Sequence, residues 1–454
     1  MASPLTALVD IISNGVGSIE SAYKEKGASV PSLDVPFAPG PLDNDPALEM
    51  TIRTVIAASL QLIANIRHPM ENIQEAATAF YMSAALDTVN EAHVANVLIG
   101  AGPEGLHVDE IAKEVGIESP QLARVLRYLA TRHIFREVKP NVFAHNRASA
   151  LLTKRAPLHE IRENPVAQYD DSPAAAFVGH VAGEALKGGP YLSSYLLGGH
   201  KEHLSPFNMS IGVNESIWQW WEQPGNEMRP RRFATAMKGG GERFPPSIYI
   251  EAFDWASLNE GAVVVDVGGG VGPVTLALHK AFPQITCVVQ DLPPVISEAQ
   301  KFWESEAPNA VPSGKVKLQV HNFFEPQAEK NAAVYFLRLV LHDWPNNKSQ
   351  DILRNLRASA NDDTKLILFD MVVPHACAEA SPIPGVPVGP PAPPPLLSNF
   401  AAGPFITMVD IQMLNLMNGM ERTMEGFVEL GKETGWKLES FKPGPLTAFV
   451  FSAV

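Results

Sequence analysis

Cysteine is nearly absent from this chain, with two in 454 residues, Cys287 and Cys377. Each disulfide framework or cysteine-built zinc site needs several thiols at set spacings, so both are excluded. Positive charge is also short. There are 35 lysines and arginines against 49 aspartates and glutamates, a formal charge of −14, which discourages attraction to nucleic acid or to an anionic membrane. No uninterrupted apolar run reaches the length of a membrane span, and Met1-Ala2-Ser3-Pro4-Leu5 lacks the basic stretch and apolar core of a secretory signal. The expected setting is a reducing cytoplasm, with small molecules as partners and neither nucleic acid nor membrane. Hydrophobic residues make up 46%, enough for two packed domains.

What the chain does have is one dense stretch near its middle, Val263-Val264-Val265-Asp266-Val267-Gly268-Gly269-Gly270-Val271-Gly272. A run of valines suits a parallel strand covered on both faces, and the apolar positions Leu276, Leu278 and Phe282 beyond it open a helix. Strand, glycine turn and helix in that order make a cofactor site, because glycine lets the backbone approach a ligand and the helix offers free N–H groups. A second apolar strand, Ile285–Gln290, ends at Asp291. An acid there, roughly 20 residues past the glycines, suits a ribose diol in either a dinucleotide or an S-adenosylmethionine fold. Asp266 favours the latter, since a carboxylate beside the glycines suits an amino-acid ammonium and repels a pyrophosphate.

Taken in order, residues 1–45 read as a helix and a stiff linker with Pro31, Pro36, Pro39 and Pro41, followed by a second helix from about Asp45 to Arg67. Residues 46–155 continue with a helix through Ala76 to Val89, short helices near Val94 and Val108, a helix over Ser119–Leu129 and a hairpin through Ile134 to Phe143. That is a winged helix-turn-helix. Arg124, Arg127 and Arg132 would carry DNA binding in a ligand-sensing regulator, but the acidic chain favours a helical scaffold whose arginines are solvated or paired. Residues 156–255 are helical and aromatic-rich, with Phe177, Tyr191, Tyr195, Phe207, Trp218, Trp220, Trp221 and Phe233 among them, serving either as core or as the lining of an apolar substrate pocket. Gly239-Gly240-Gly241 should break any helix there.

Residues 256–454 alternate strands and helices, which predicts an α/β doubly wound, Rossmann-like sheet. The strands expected are Val263–Val267, Ile285–Gln290, Val316–Val320, Ala333–Leu337, Lys365–Phe369, Lys437–Lys442 and Ala448–Ser452. The proline-dense insertion 382–395 reads as a surface loop. Just past the fourth strand stands His342, followed by Asp343-Trp344-Pro345, on the edge where such sheets bind ligands. A neutral imidazole there could take a proton from a hydroxyl while a sulfonium methyl is attacked. Asp370, ending the next strand, and Glu421, ahead of the final helix, could orient it. Alternatively, Asp370 is a solvated strand-end acid and Glu421 a partner for a helix dipole.

Asp266-Val267-Gly268-Gly269-Gly270-Val271-Gly272, Asp291-Leu292-Pro293, His321-Asn322-Phe323-Phe324, Arg338, His342-Asp343-Trp344-Pro345 and Glu421-Arg422-Thr423 occur in that order. The set resembles the plant and fungal small-molecule O-methyltransferases of the caffeate and flavonoid type, over about residues 45 to 454, and the insertion looks more fungal than plant. The resemblance implies His342 as general base flanked by Asp370 and Glu421. It also implies that Gly268 and Gly270 line S-adenosylmethionine, Asp291 binds its ribose, Asn322 and Phe323 border its adenine, and Arg338 lies near its outer edge. No metal is implied. Asp370 departs from the plant pattern, which has the longer Glu, and Asn322 replaces a common Asp. The front domain is implied to be a dimerisation module, and the substrate a phenolic or polyketide-like hydroxyl compound. Some fungal relatives look like pericyclases or dehydratases that use the cofactor as an electrostatic element, which stands as the alternative.

Overall fold

In the computed structural model, which describes residues 3–43, 45–199, 204–241, 244–377, 392–397 and 403–454, the first helices begin where a capping side chain meets a proline. Ser3 caps α1 (Pro4–Glu25) by accepting from the Thr6 amide, and Asp45 caps α2 (Pro46–Ile66) by accepting from Ala47 and Leu48. The two pack through Leu8 with Ala58, and Tyr23 with Leu48. They cross at Gly15, where an added Cβ would stand 2.3 Å from Val55. The segment Ala47–Ile66 is 20 residues with a mean hydropathy of 1.4, long and apolar enough to cross a membrane by length and composition. Sequence reading passed over it because Glu49 and Arg53, which pair at 2.5 Å, interrupt the run.

The helix expected through Ala76 to Val89 is two helices, α3 (Pro69–Thr78) and α4 (Phe80–Glu91), then α5 (Val94–Val97). The winged fold follows: α6 (Val108–Val115), ending at Gly116 in the left-handed conformation, and α7 (Ser119–Ala130). Its sheet joins β1 (Leu106–His107), β2 (Arg136–Lys139) and β3 (Val142–Ala144) with β3 central and both pairings antiparallel. Arg127 is committed within this fold, donating to Glu137 and Asn141, and Arg132 stacks on Tyr128.

Of the aromatics between 156 and 255, Tyr169, Tyr195, Phe207, Trp221, Tyr249 and Trp255 are buried, while Phe177 and Tyr191 are exposed. The glycine triplet does not break its helix, which runs Met228–Gly241. Packing overrides local preference there: Gly239 lies so close to Pro173 that a Cβ would meet it at 2.3 Å, so the small residue permits the approach.

The chain divides into two units, one centred on Met1–Arg243 and the other on Phe244–His375 with Pro404–Val454. The second takes in residues 244–255 because Tyr249 and Trp255 are buried in its core. Its strands are β4 (Val263–Val267), β5 (Thr286–Asp291), β6 (Val316–Val320), β7 (Val334–Arg338), β8 (Lys365–Asp370), β9 (Trp436–Lys442) and β10 (Thr447–Ala453). They lie in the order β6-β5-β4-β7-β8-β10-β9. The first five run parallel, but β10 pairs antiparallel with both β8 and β9. The loop between β9 and β10 is too short for the crossover that parallel pairing needs, so the sheet is parallel with an antiparallel hairpin at one edge. Strand order reverses between β4 and β7, which opens a crevice at their carboxyl ends. Of the insertion 382–395, all but 392–395 lies outside the described residues.

Candidate active site

The glycine turn after β4 is shaped by the two acids on either side of it. Asp266 is buried, accepts from the Thr275 hydroxyl at 2.6 Å, and lies so near Gly269 that a Cβ there would come within 2.4 Å of its carboxyl carbon. The middle glycine is therefore required by Asp266, a constraint the sequence did not reveal. Gly268 and Gly270 have φ of +67° and +60°, a region that side chains resist. A Cβ on Gly268 would meet Val340 and the Phe323 ring, whereas one on Gly270 would meet open space. Asp291, at the tip of β5, accepts from the amides of Gly270 at 2.8 Å and Leu292 at 2.7 Å. Burial pushes the Asp266 carboxyl up to about 7, and the Thr275 hydrogen bond and Arg338 only partly oppose it. A buried acid in that state favours a cationic ligand.

Asn322 and Phe323 follow β6. The Asn322 side-chain oxygen already accepts from Phe324 N at 3.1 Å, which leaves its NH₂ to donate outward. The Phe323 ring packs on Gly268 and lies 6.0 Å from the Trp344 ring. Arg338, at the tip of β7, stands 5.8 Å from the Tyr249 ring, and its buried Nε has no hydrogen-bond partner among the described residues. Tyr249 and Thr275 are site neighbours that sequence reasoning missed, since neither belongs to a motif. The predicted cofactor residues Asp266, Gly268, Gly270, Asp291, Asn322, Phe323 and Arg338 thus sit at the carboxyl ends of four adjacent strands. An open glycine turn between a buried acid, Asp266, and a part-buried one, Asp291, with an unpartnered guanidinium nitrogen beside them, fits an adenosyl amino acid carrying positive charge.

His342 lies in a single 3-10 turn, Leu341–Asp343, past β7. Its Nδ1 is 2.7 Å from Glu421 Oε1 and its Nε2 is 3.4 Å from Asp343 Oδ1. The short bond places the Nδ1 proton toward Glu421 and turns Nε2 outward as the proton-accepting atom. Burial alone would lower the imidazole pKa, but the carboxylates of Asp343, Glu421 and Asp370 outweigh it and raise it to about 10. Burial likewise pushes Asp343 up to about 6 and raises Asp370. Asp370 is buried and brings a carboxylate oxygen within 4.8 Å of ligand atoms of both His342 and Glu421, yet the hydrogen bond it accepts comes from the Met371 amide at 3.2 Å. It acts on the imidazole through its charge and makes no direct hydrogen bond to it among the described residues. His342, Asp370 and Glu421 bring one ligand atom each within 4.8 Å of one another, close enough to be considered as metal ligands.

A sheet of this strand order, with an acid-flanked glycine turn and an acid-oriented histidine on one edge, defines an S-adenosylmethionine-dependent methyltransferase. Residues 192–383 match the family model of the O-methyltransferase domain, and residues 74–155 that of the O-methyltransferase dimerisation domain. An O-methyltransferase of Armillaria gallica is 36% identical over 98% of each chain. Among solved structures, an O-methyltransferase of neocarzinostatin biosynthesis in complex with S-adenosylmethionine and 2-hydroxy-5-methyl naphthoic acid superposes with a TM-score of 0.61 at 22% identity, over 82% of this chain and 96% of that one. A pericyclic reaction enzyme does so at 0.66 and 20%, over 89% and 95%. At such identities the structures show the fold alone. The relative's near full-length match goes further: the chain belongs to the O-methyltransferase family and is an S-adenosylmethionine-dependent O-methyltransferase.

Proposed function

We propose that this O-methyltransferase methylates a hydroxyl of a phenolic or polyketide-like small molecule, with His342 as general base. The observation that carries the reading is the 2.7 Å bond from His342 Nδ1 to the buried Glu421 carboxylate. Glu421 fixes the tautomer and stabilises the imidazolium, so that Nε2 can take the hydroxyl proton as the oxygen gains the methyl group. When bound, S-adenosylmethionine supplies the electrophilic methyl on a sulfonium. Asp266 is placed for its ammonium and Asp291 for its ribose. The aromatic hydroxy acid in the neocarzinostatin structure supports an aromatic substrate class.

The test is methyl transfer by the purified protein to a panel of phenols and polyketides. His342→Ala should lose roughly 10²–10⁴-fold in rate while still binding the cofactor. Undiminished transfer in that variant would remove the base assignment. One geometric feature bears on the pericyclic or dehydrating alternative: the carboxylates of Asp343, Glu421 and Asp370 around His342 favour its charged form, which is suited to polarising a carbonyl. Product mass separates the two, since methylation adds one methylene and the alternative yields an isomer or loses water.

The partner is a second copy of the chain, as the dimerisation domain supports. Along α2, Ile56, Leu60, Ile63 and Ile66 are all exposed and recur at spacings of four, three and three. That spacing is the pattern of a helix seam awaiting another helix.

A further inference from the structure

The loop that carries His342 is not held by its own sequence. Leu339 has φ +52°, a conformation a side-chain-bearing residue adopts only where surroundings impose it. The surroundings here are residues 419–422. The Met420 amide donates to His342 O at 2.9 Å, and Gly419 approaches so closely that a Cβ would stand 2.2 Å from that same oxygen. Arg422 then grips both sides of the histidine, with NH1 donating to Leu341 O at 2.7 Å and NH2 to Trp344 O at 3.0 Å. The rest of its fork reaches Ser349 Oγ at 2.8 Å and Asn346 Oδ1 at 3.1 Å, on the helix after the loop. The segment is tied to the sheet by Val373 N donating to Arg422 O at 3.0 Å.

Arg422 is only 2% exposed, yet among the described residues it has no carboxylate within ion-pair distance. The carboxylates of Asp370, Glu421 and Asp410 favour its charge from farther off, while the hydrogen bonds of its fork go to neutral acceptors. Its planar fork is the one side chain able to hold two carbonyls three residues apart along with two side chains. We propose that Arg422 is a positioning residue for methyl transfer, clamping the Leu341–Trp344 backbone so that the His342 ring meets Glu421 at bonding distance. Glu421 holds the ring and the adjacent Arg422 holds the loop beneath it. One strand-like segment therefore sets both coordinates of the base.

The inference rests on His342 being the base. The test is Arg422→Lys, which keeps the charge and loses the fork, with Asn346→Ala as a milder variant at an exposed position that removes one partner of the guanidinium. Rates are normalised to cofactor-binding protein. Misplacement of a reacting group by about 1 Å costs on the order of 10²-fold, so kcat of Arg422→Lys should fall by that order, with the S-adenosylmethionine Kd within twofold of the parent and KM little changed. The pH at which kcat rises should move down, because the ring leaves Glu421 while Asp343 and Asp370 still face it. Asn346→Ala should show a smaller change of the same sign. A purely structural role would lower Tm and leave the pH profile in place. The clamp is overturned if normalised kcat stays within threefold and the profile is unmoved in both variants while His342→Ala is inactive. If His342→Ala is itself active, the base reading has failed instead.

Discussion

Replacing Glu421 by glutamine tests the heart of the site with a change of one atom. The side chain is fully buried, its Oε1 is 2.7 Å from His342 Nδ1, and its Oε2 has no hydrogen-bond partner among the described residues. Glutamine keeps the volume and removes the charge. A hydrogen bond to a charged group contributes about 1.5–3 kcal/mol. At 1.36 kcal/mol per pH unit, the imidazole pKa should drop by about 1 to 2 from its raised value near 10. Asp343 and Asp370 remain, so the value should stay above that of a free histidine. Since the base works neutral, kcat/KM of the parent should rise with pH through an alkaline limb, and in Glu421→Gln that limb should lie about 1 to 2 pH units lower. The plateau should fall as well, by roughly 10- to 10³-fold, because an amide can present its NH₂ to Nδ1 and force the proton onto Nε2. The stability sign follows from the same pair. A histidine raised on folding contributes stability that is complete below its unfolded pKa of about 6.5 and is lost as pH rises through about 10. The variant should therefore melt lower at pH 7, with the difference shrinking above pH 10. An alkaline limb that stays in place with an unchanged plateau would refute the reasoning.

Asp291→Ala should weaken S-adenosylmethionine binding by roughly 10- to 150-fold, the equivalent of one charged hydrogen bond of about 1.5–3 kcal/mol. Because Asp291 also holds the Gly270 amide, Asp291→Asn should lose less, and calorimetric affinities equal to the parent in both would sink the ribose assignment. On the other unit, Leu60→Glu with Ile63→Glu should raise the dimer dissociation constant by at least tenfold in analytical ultracentrifugation, since each places a charge where an apolar partner is expected. A parent that is itself monomeric would end the dimer reading, and unchanged dimerisation in the variant would end the seam.

The central strand Val263–Val267 was legible because a parallel strand buried on both faces needs a continuous β-branched run; the edge strand Val316–Val320, with only Val316 buried, also has the expected ends. The cofactor residues were legible for the same reason, since ligand groups collect at strand tips and strand ends could be read. The antiparallel hairpin could have been inferred from its short connection. Other features depend on distant approach, which leaves no local signal. Gly269 must be glycine because of where Asp266 points, Gly419 because of where His342 O lies, and Gly239 because of Pro173. Arg422 stood in a recognised motif next to Glu421, but only the three-dimensional loop shows what its fork holds. The break between α3 and α4 at Ala79 carries neither proline nor glycine, and so the periodicity ran across it.

Acids outnumber bases inside this site, which makes cofactor binding a proton-releasing event. Burial pushes Asp266 up to about 7, so near neutral pH part of the free protein carries a proton there. A cation held beside the carboxylate favours its charged form and drives that proton off. Calorimetric titration with S-adenosylmethionine in phosphate and in Tris, which differ in ionisation enthalpy, should therefore show, relative to Asp266→Asn, an added release of a fraction of a proton at about pH 7 that falls away toward about pH 9. Release from His342 would behave oppositely. The imidazole is raised to about 10, so protons displaced from it by a neighbouring positive charge would increase between pH 7 and 10. The slope of release against pH thus says which group the positive charge meets. A falling release that disappears in Asp266→Asn places the ammonium on Asp266. Heats identical in the two buffers at pH 7, or a falling release that survives in Asp266→Asn, would refute that placement.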